Sequence, residues 1–486
     1  MRQNKKNYYN LQDFLLSIVQ SDSNLQIDLN NSNIGVQGAS DLASCLSKYK
    51  NLQTLFLNLS LNNLGTEGAL VLGEQLQKDK DFIHIESLVI KLCSNNIQDE
   101  GVKGLSSFLN KFPHVQDLEI DLVYNEIGDD GVQYLSSSLR NKQNISTLKL
   151  DLAFNKIQES GAENLSSAFA NLTKLQNLKI NLLKNKIRHN GASILGIALQ
   201  KCNLLTTLEL QLYENKIGSE GLKALSQGLT NCKLLIKLDL LLRANEIDET
   251  CMKNFGQSLN QCITLQNLTI NFCWNKIGYI GVQDFCSSYL MQSPKLKDFY
   301  LNLDNNNIGS KGVAELGINL AKCANIQTLE LEIYLNSIKA LGATNLVSAL
   351  VKSQSVSKLI LYFGGAEIGD IGAKDLCQQL PNCSNLKYFH LSLHRNSIGD
   401  DTISLGSYLV EYKNLRELSL DFQFNKIKED QAIDLIIDLK KCNNIQVLRL
   451  ILRNNQIQKV LQQKLETELL KLNRLVNLFQ FNKNYN

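Results

Sequence analysis

Along Ile145 to Leu175, ISTLKLDLAFNKIQESGAENLSSAFANLTKL, the hydrophobic period changes halfway. Leu148, Leu150 and Leu152 alternate with Lys149, Asp151 and Ala153, which predicts a short strand with one apolar face. Asn155 and Ile157 close that strand. After Gly161, the apolar residues Leu165, Phe169 and Leu172 fall at helical spacing. One strand and one helix are too small to bury their own apolar faces, so the unit needs a neighbour on each side.

The neighbours are present. The Asn-x-Ile/Leu step recurs with its asparagine at Asn62, Asn95, Asn125, Asn155, Asn185, Asn215, Asn245, Asn275, Asn306, Asn336, Asn396, Asn425 and Asn455. Ser32 and Ala366 hold the same column with a substituted residue, which makes 15 units, most of them 30 residues apart. Six positions after the column residue stands glycine in 11 of those 15 units, Gly161 and Gly342 among them, as a helix start pressed against neighbouring backbone requires. Asp99, Asp129, Ser219, Ser310 and Asp370 are suited to capping those helices.

With these columns the chain resembles the leucine-rich repeat superfamily, and specifically its ribonuclease-inhibitor-like subclass, over about residues 25 to 480. The familiar L-x-x-L-x-L-x-x-N-x-L core is lengthened here to I-x-x-L-x-L-x-L-x-x-N-x-I, as in Ile145 to Ile157, so each strand gains a pleat. The resemblance implies an α/β solenoid, or horseshoe. Strands pack about 4.8 Å apart and helices about 8–10 Å apart, so the parallel sheet should line the concave side and the helices the convex side. Residues 1–24 read as an N-terminal helical cap carrying Leu11, Phe14, Leu15 and Ile18. Residues 25–472 form the repeat array and residues 473–486 a C-terminal cap strand and tail, all as one structural domain.

Charge narrows the partners. With 50 Lys and Arg against 47 Asp and Glu the net charge is +3, too balanced for nucleic acid or an anionic membrane to dominate. No run of 18 apolar residues and no signal-peptide pattern appears, which leads to the expectation of a cytoplasmic protein. Six of the 12 cysteines, Cys202, Cys232, Cys262, Cys323, Cys383 and Cys442, share one column where helix returns to strand and read as buried small hydrophobes.

Catalytic and metal chemistry finds no constellation. His390 and His394 stand about 13 Å apart along one strand, at about 3.3 Å per residue, too far to share a metal. Asp304, Asn306, Gly309 and Glu315 match four positions of a calcium loop, but Ile308 occupies a ligand position and the repeat register already explains them. Phosphate-binding and nucleophile-elbow motifs are missing. The expectation is a non-enzyme with no cofactor and no metal.

Residues alternating with the strand leucines face the inside of the curve. They are mostly polar, with a cluster that exceeds this background: Glu209, Tyr213, Arg243, Trp274, Tyr300, Asp304, Glu330, Glu332, Tyr334, Tyr362, His394 and Arg395. Aromatic anchors among charges are the composition of a protein interface. His390, His394, Arg395, Arg449 and Arg453 make the later part of that face basic. The reading is a scaffold that holds a partner protein on its concave face as a subunit of a hetero-complex, with no nucleic acid and no membrane. From the resemblance alone come two more possibilities: a cytoskeletal or ciliary setting, and activation of a Ran-type small GTPase.

Overall fold

The computed structural model describes residues 5–17, 23–49, 51–78, 84–290, 293, 295–399, 405–458 and 475–476. Backbone contacts cluster into two compact units: Met1–Asn245 with Gln261–Thr264, and Glu246–Asn260 with Leu265–Asn486. Both are built on the predicted strand–turn–helix repeat.

In the first unit the strands Lys5–Tyr8, Asn24–Asp28, Thr54–Asn58, Ser87–Lys91, Asp117–Asp121, Thr147–Asp151, Asn177–Asn181, Thr207–Gln211 and Lys237–Leu241 pair in parallel and in chain order. The second unit repeats this with Asn267–Asn271, Asp298–Asn302, Thr328–Glu332, Lys358–Tyr362, Tyr388–Ser392, Glu417–Asp421, Val447–Ile451 and Leu475–Val476. Asp121, Asp151 and Asn181 stand opposite one another, so each sequence column becomes a straight row across the sheet.

Leu148, Leu150 and Leu152 are buried, while Lys149 is exposed and Asp151 half-buried. The helix that follows, Glu159–Phe169, buries Ala162, Leu165 and Phe169. Burying one such side chain contributes about 1.5–3 kcal/mol, repeated unit after unit. Gly342 holds the predicted close approach, since a Cβ there would lie 2.9 Å from Ser310 Cα of the preceding helix.

The column asparagines form a ladder. Asn95 Nδ2 donates to Leu59 O (2.8 Å) of the preceding repeat and Leu92 O (3.0 Å) of its own, while its Oδ1 accepts from the N–H groups of Asn62 (3.0 Å) and Leu64 (3.3 Å). One amide thus satisfies backbone groups of two turns that side-chain packing would otherwise strand in the core. At Ala366, fully buried, this rung has no amide.

Two features differ from the sequence reading. The first segment holds a strand as well as a helix: Lys5–Tyr8 adds to the sheet edge, and Phe14 of the short helix Leu11–Leu15 packs between Tyr8 and Tyr49 at ring distances of 5.1 and 5.8 Å. KKNY is too short and polar to announce a strand; parallel pairing with Asn24–Asp28 supplies what its side chains do not. The acidic residues do not cap their own helices either. Asp99 accepts from Gly128 N (2.6 Å), Asp129 from Gln158 N (2.7 Å) and Asp370 from Gly399 N (2.6 Å), each in the next repeat. The end of the predicted repeat array, 459–472, and most of the predicted C-terminal cap lie outside the described residues; Leu475–Val476 pairs with Val447–Leu448.

Candidate functional site

The face of the sheet opposite the helices carries the candidate residues, and each unit has its own. In the first, Glu209 accepts from Lys179 Nζ (2.9 Å) and Gln211 Nε2 (2.6 Å). Burial alone would raise its carboxyl; these two hydrogen bonds overcome that and hold it below the usual range. Tyr213 is half-buried, its carbonyl taking the N–H of Lys184 (3.0 Å), and Arg243 is exposed.

The second unit gathers more. Tyr300, Glu330, Ile360 and His390 stand opposite one another on adjacent strands, and so do Asn302, Glu332, Tyr362 and Ser392. Tyr300 O–H donates to Glu332 Oε1 (2.9 Å), and Asn302 Nδ2 donates to Glu332 Oε2. Burial raises the carboxyls of Glu330 and Glu332, and the charge of Glu332 adds to the rise at Glu330. Burial, with both glutamates beside it, pushes the Tyr362 hydroxyl up to about 12.

Two ring pairs complete the patch. The rings of Tyr334 and His394 stack at 5.2 Å and 19°, and Tyr362 leans on His390 at 4.8 Å. Between Tyr334 and His394 lies Gly364, where any Cβ would strike the imidazole. The space over Gly364 is filled by the protein's own His394. Asp304 is also engaged, accepting from Tyr334 N (2.6 Å).

The basic patch expected in this unit needs correction. Burial holds His394 below its usual range and lowers His390 to about 4, so both imidazoles are neutral at pH 7. Arg395 leaves the strand face: its φ is +56° and its guanidinium lies over the Phe424 ring at 4.9 Å. Trp274 takes the equivalent turn position, with φ +59° and 54% exposure.

That turn position, just before the column asparagine, is one where sequence reasoning named Trp274 and Arg395 but missed the first unit's residues. Its left-handed backbone throws the side chain outward, and in the first unit it holds Leu61, Tyr124 and Phe154. Tyr124 and Phe154 stack at 4.1 Å, with Lys184 Nζ 5.2 Å from the Phe154 centroid, beside a groove lined by Asn63, Ser94 and Asn96. Large apolar residues in an otherwise polar turn column are the signal that could have found them.

Strand, asparagine-ladder turn and helix, stacked in register, define an α/β solenoid with one sheet face left open. The chain carries leucine-rich repeats: the family described as Leucine Rich repeat matches it at residues 54–73, 118–136, 144–166, 201–226 and 300–317. No curated protein matches its sequence. Among solved structures it is similar to a leucine-rich repeat protein of Leptospira interrogans, at 15% identity and TM-score 0.47, covering 99% of this chain and 100% of that one. It is also similar to a chain of the TLR13–ssRNA13 complex, at 17% identity and TM-score 0.44, covering 90% of this chain and 59% of that one.

Among the described residues no three His, Cys, Asp or Glu side chains are grouped as a metal site, and no helix is long and apolar enough to cross a membrane.

Proposed function

We propose that this chain is a non-enzymatic scaffold whose open sheet face holds a partner protein, as one subunit of a larger assembly. The observation that supports this reading is the second unit's patch: half-buried tyrosines and glutamates in straight rows, on a face that its own helices leave uncovered. Rigid rings among oriented charges have the composition of interface hot spots, and a parallel sheet holds them without a loop that must order on binding. Leucine-rich repeats are commonly binding scaffolds, which agrees.

The test is affinity capture with the wild-type chain and with Tyr334→Ala combined with Tyr362→Ala, folding being checked by circular dichroism. A partner retained by the wild type should be lost from the double variant, with a weakening of about tenfold or more, as hot-spot truncation gives. Equal retention with an unchanged spectrum removes the patch from the interface. Single-turnover GTP hydrolysis by a small GTPase, accelerated on adding this chain, would replace the scaffold reading with that of an activator.

A further inference from the structure

The two open faces handle their carboxylates differently. In the first unit they meet lysines on the same face: Glu119 lies 3.6 Å from Lys91 and 3.2 Å from Lys149, Glu209 lies 2.9 Å from Lys179, and Asp239 lies 2.8 Å from Lys237. Glu119, Glu209 and Asp239 are each neutralised in place by a lysine.

In the second unit Glu330 and Glu332 project from the same strand to the same face. The donors on Glu332, Tyr300 O–H and Asn302 Nδ2, are neutral and orient its carboxylate without cancelling its charge. Glu330 accepts no hydrogen bond from the described residues, and neither glutamate has an ion-pair partner among them. The nearby Lys358 is turned to the Tyr388 ring, 5.0 Å from its centroid. Tyr300 on the preceding strand, Tyr362 on the following one and Tyr334 two positions along flank these carboxylates with half-buried rings.

We propose that this patch receives an arginine side chain of the partner protein, its guanidinium set on Glu330 and Glu332 and flanked by Tyr300, Tyr334 and Tyr362. The proposal rests on the reading that the open face binds protein, and adds what kind of group it recognises. A planar guanidinium donates two parallel N–H groups to a carboxylate and lies flat on an aromatic ring. Ring faces attract a cation at half-buried sites. Two like charges held together outside bulk water repel each other, and an incoming cation relieves that repulsion. The chain as a whole carries +3, so overall charge works against a cationic ligand and any such binding must come from a local patch.

The test uses fluorescence polarisation of a labelled nona-arginine peptide and of its neutral nona-citrulline counterpart, titrated with the full chain. The arginine peptide should bind the wild type and the citrulline peptide should not. Glu330→Gln with Glu332→Gln should weaken binding about tenfold or more, in the range for removing partners of a charge-assisted hydrogen bond. Glu119→Gln, at a carboxylate already paired with Lys91 and Lys149, should leave it unchanged. Glu330→Gln alone serves as the second variant, because that carboxylate accepts no hydrogen bond from the described residues and its loss should leave the fold intact. Equal binding by the wild type and Glu330→Gln, or no binding of the arginine peptide at all, overturns the proposal. If a captured partner is lost from the tyrosine variant but kept by both glutamine variants, the scaffold reading stands and the arginine proposal falls.

Discussion

A single side-chain amide decides how well each turn is satisfied, and Ala366, like Ser32 in the first repeat, lacks it. Its neighbour Asn396 still accepts from the N–H groups of Ala366 and Ile368, both at 3.1 Å, so the ladder resumes one repeat later. Ala366→Asn should therefore stabilise the protein, by about 1–2 kcal/mol for the restored hydrogen bonds to buried backbone, read as a higher denaturant midpoint. His390 gives the residue scale its pH dependence. Its imidazole is held neutral, at about 4 against an ordinary 6.5, while the unfolded chain takes up a proton below 6.5. Stability is then complete above pH 6.5 and falls as the pH drops toward 4, by about 3 kcal/mol at most. Comparing denaturant midpoints across that window, His390→Gln should lose less stability than the wild type. The substitution at Ala366 was visible in the sequence. What fills the space over Gly364 was not, because His394 lies 30 positions away in the chain and reaches it only across a strand pair.

At the scale of the element, the turn from helix back to strand shows one slot filled by different chemistries. Cys323 Sγ reaches Leu290 O at 3.2 Å, Cys262 Sγ reaches Leu229 O at 3.5 Å, and in the corresponding place Lys142 Nζ reaches Leu109 O at 2.7 Å and Phe112 O at 3.1 Å. The cysteines are buried and free, and burial alone pushes the Cys262 thiol up to about 12, which makes it unreactive. Burial lowers Lys142 to about 8 from 10.5. Between those values the unfolded chain binds a proton that the native chain does not, so this group makes stability rise with pH from about 8 to 10.5. Lys142→Leu, copying Leu172 of the next repeat, should remove a rise on the order of 3 kcal/mol, measured as the wild-type-minus-variant difference in denaturant midpoints at pH 7.5 and pH 10.5. The difference isolates the lysine from the buried cysteines and tyrosines, whose slope has the opposite sign. Within the repeats element type was legible, since the leucine period switches cleanly from two to nearly four; the Lys5–Tyr8 strand was not. Cap chemistry was not: Asp129 sits at a helix start, yet its carboxylate serves Gln158 in the adjacent turn.

Across each unit, stability passes from one repeat to the next, because every strand and helix contacts mainly its neighbours. Leu150→Ala should cost about 2–5 kcal/mol as a buried cavity. Hydrogen exchange should record the loss chiefly in Asp117–Asp121, Thr147–Asp151 and Asn177–Asn181, and much less in Asn24–Asp28. Uniform loss across the whole first unit would contradict nearest-neighbour coupling. Repetition alone determined the architecture: leucines at fixed offsets must be buried, and the only way for all units to bury them is to stack in parallel. Tertiary structure decided the rest. Whether a glutamate forms an ion pair, as Glu209 does with Lys179, whether a histidine is charged, and which tyrosine leans on which ring depend on side chains brought opposite one another from 30 residues away. Coulombic and ring interactions act over a few ångströms, and pairing across strands is what sets those distances.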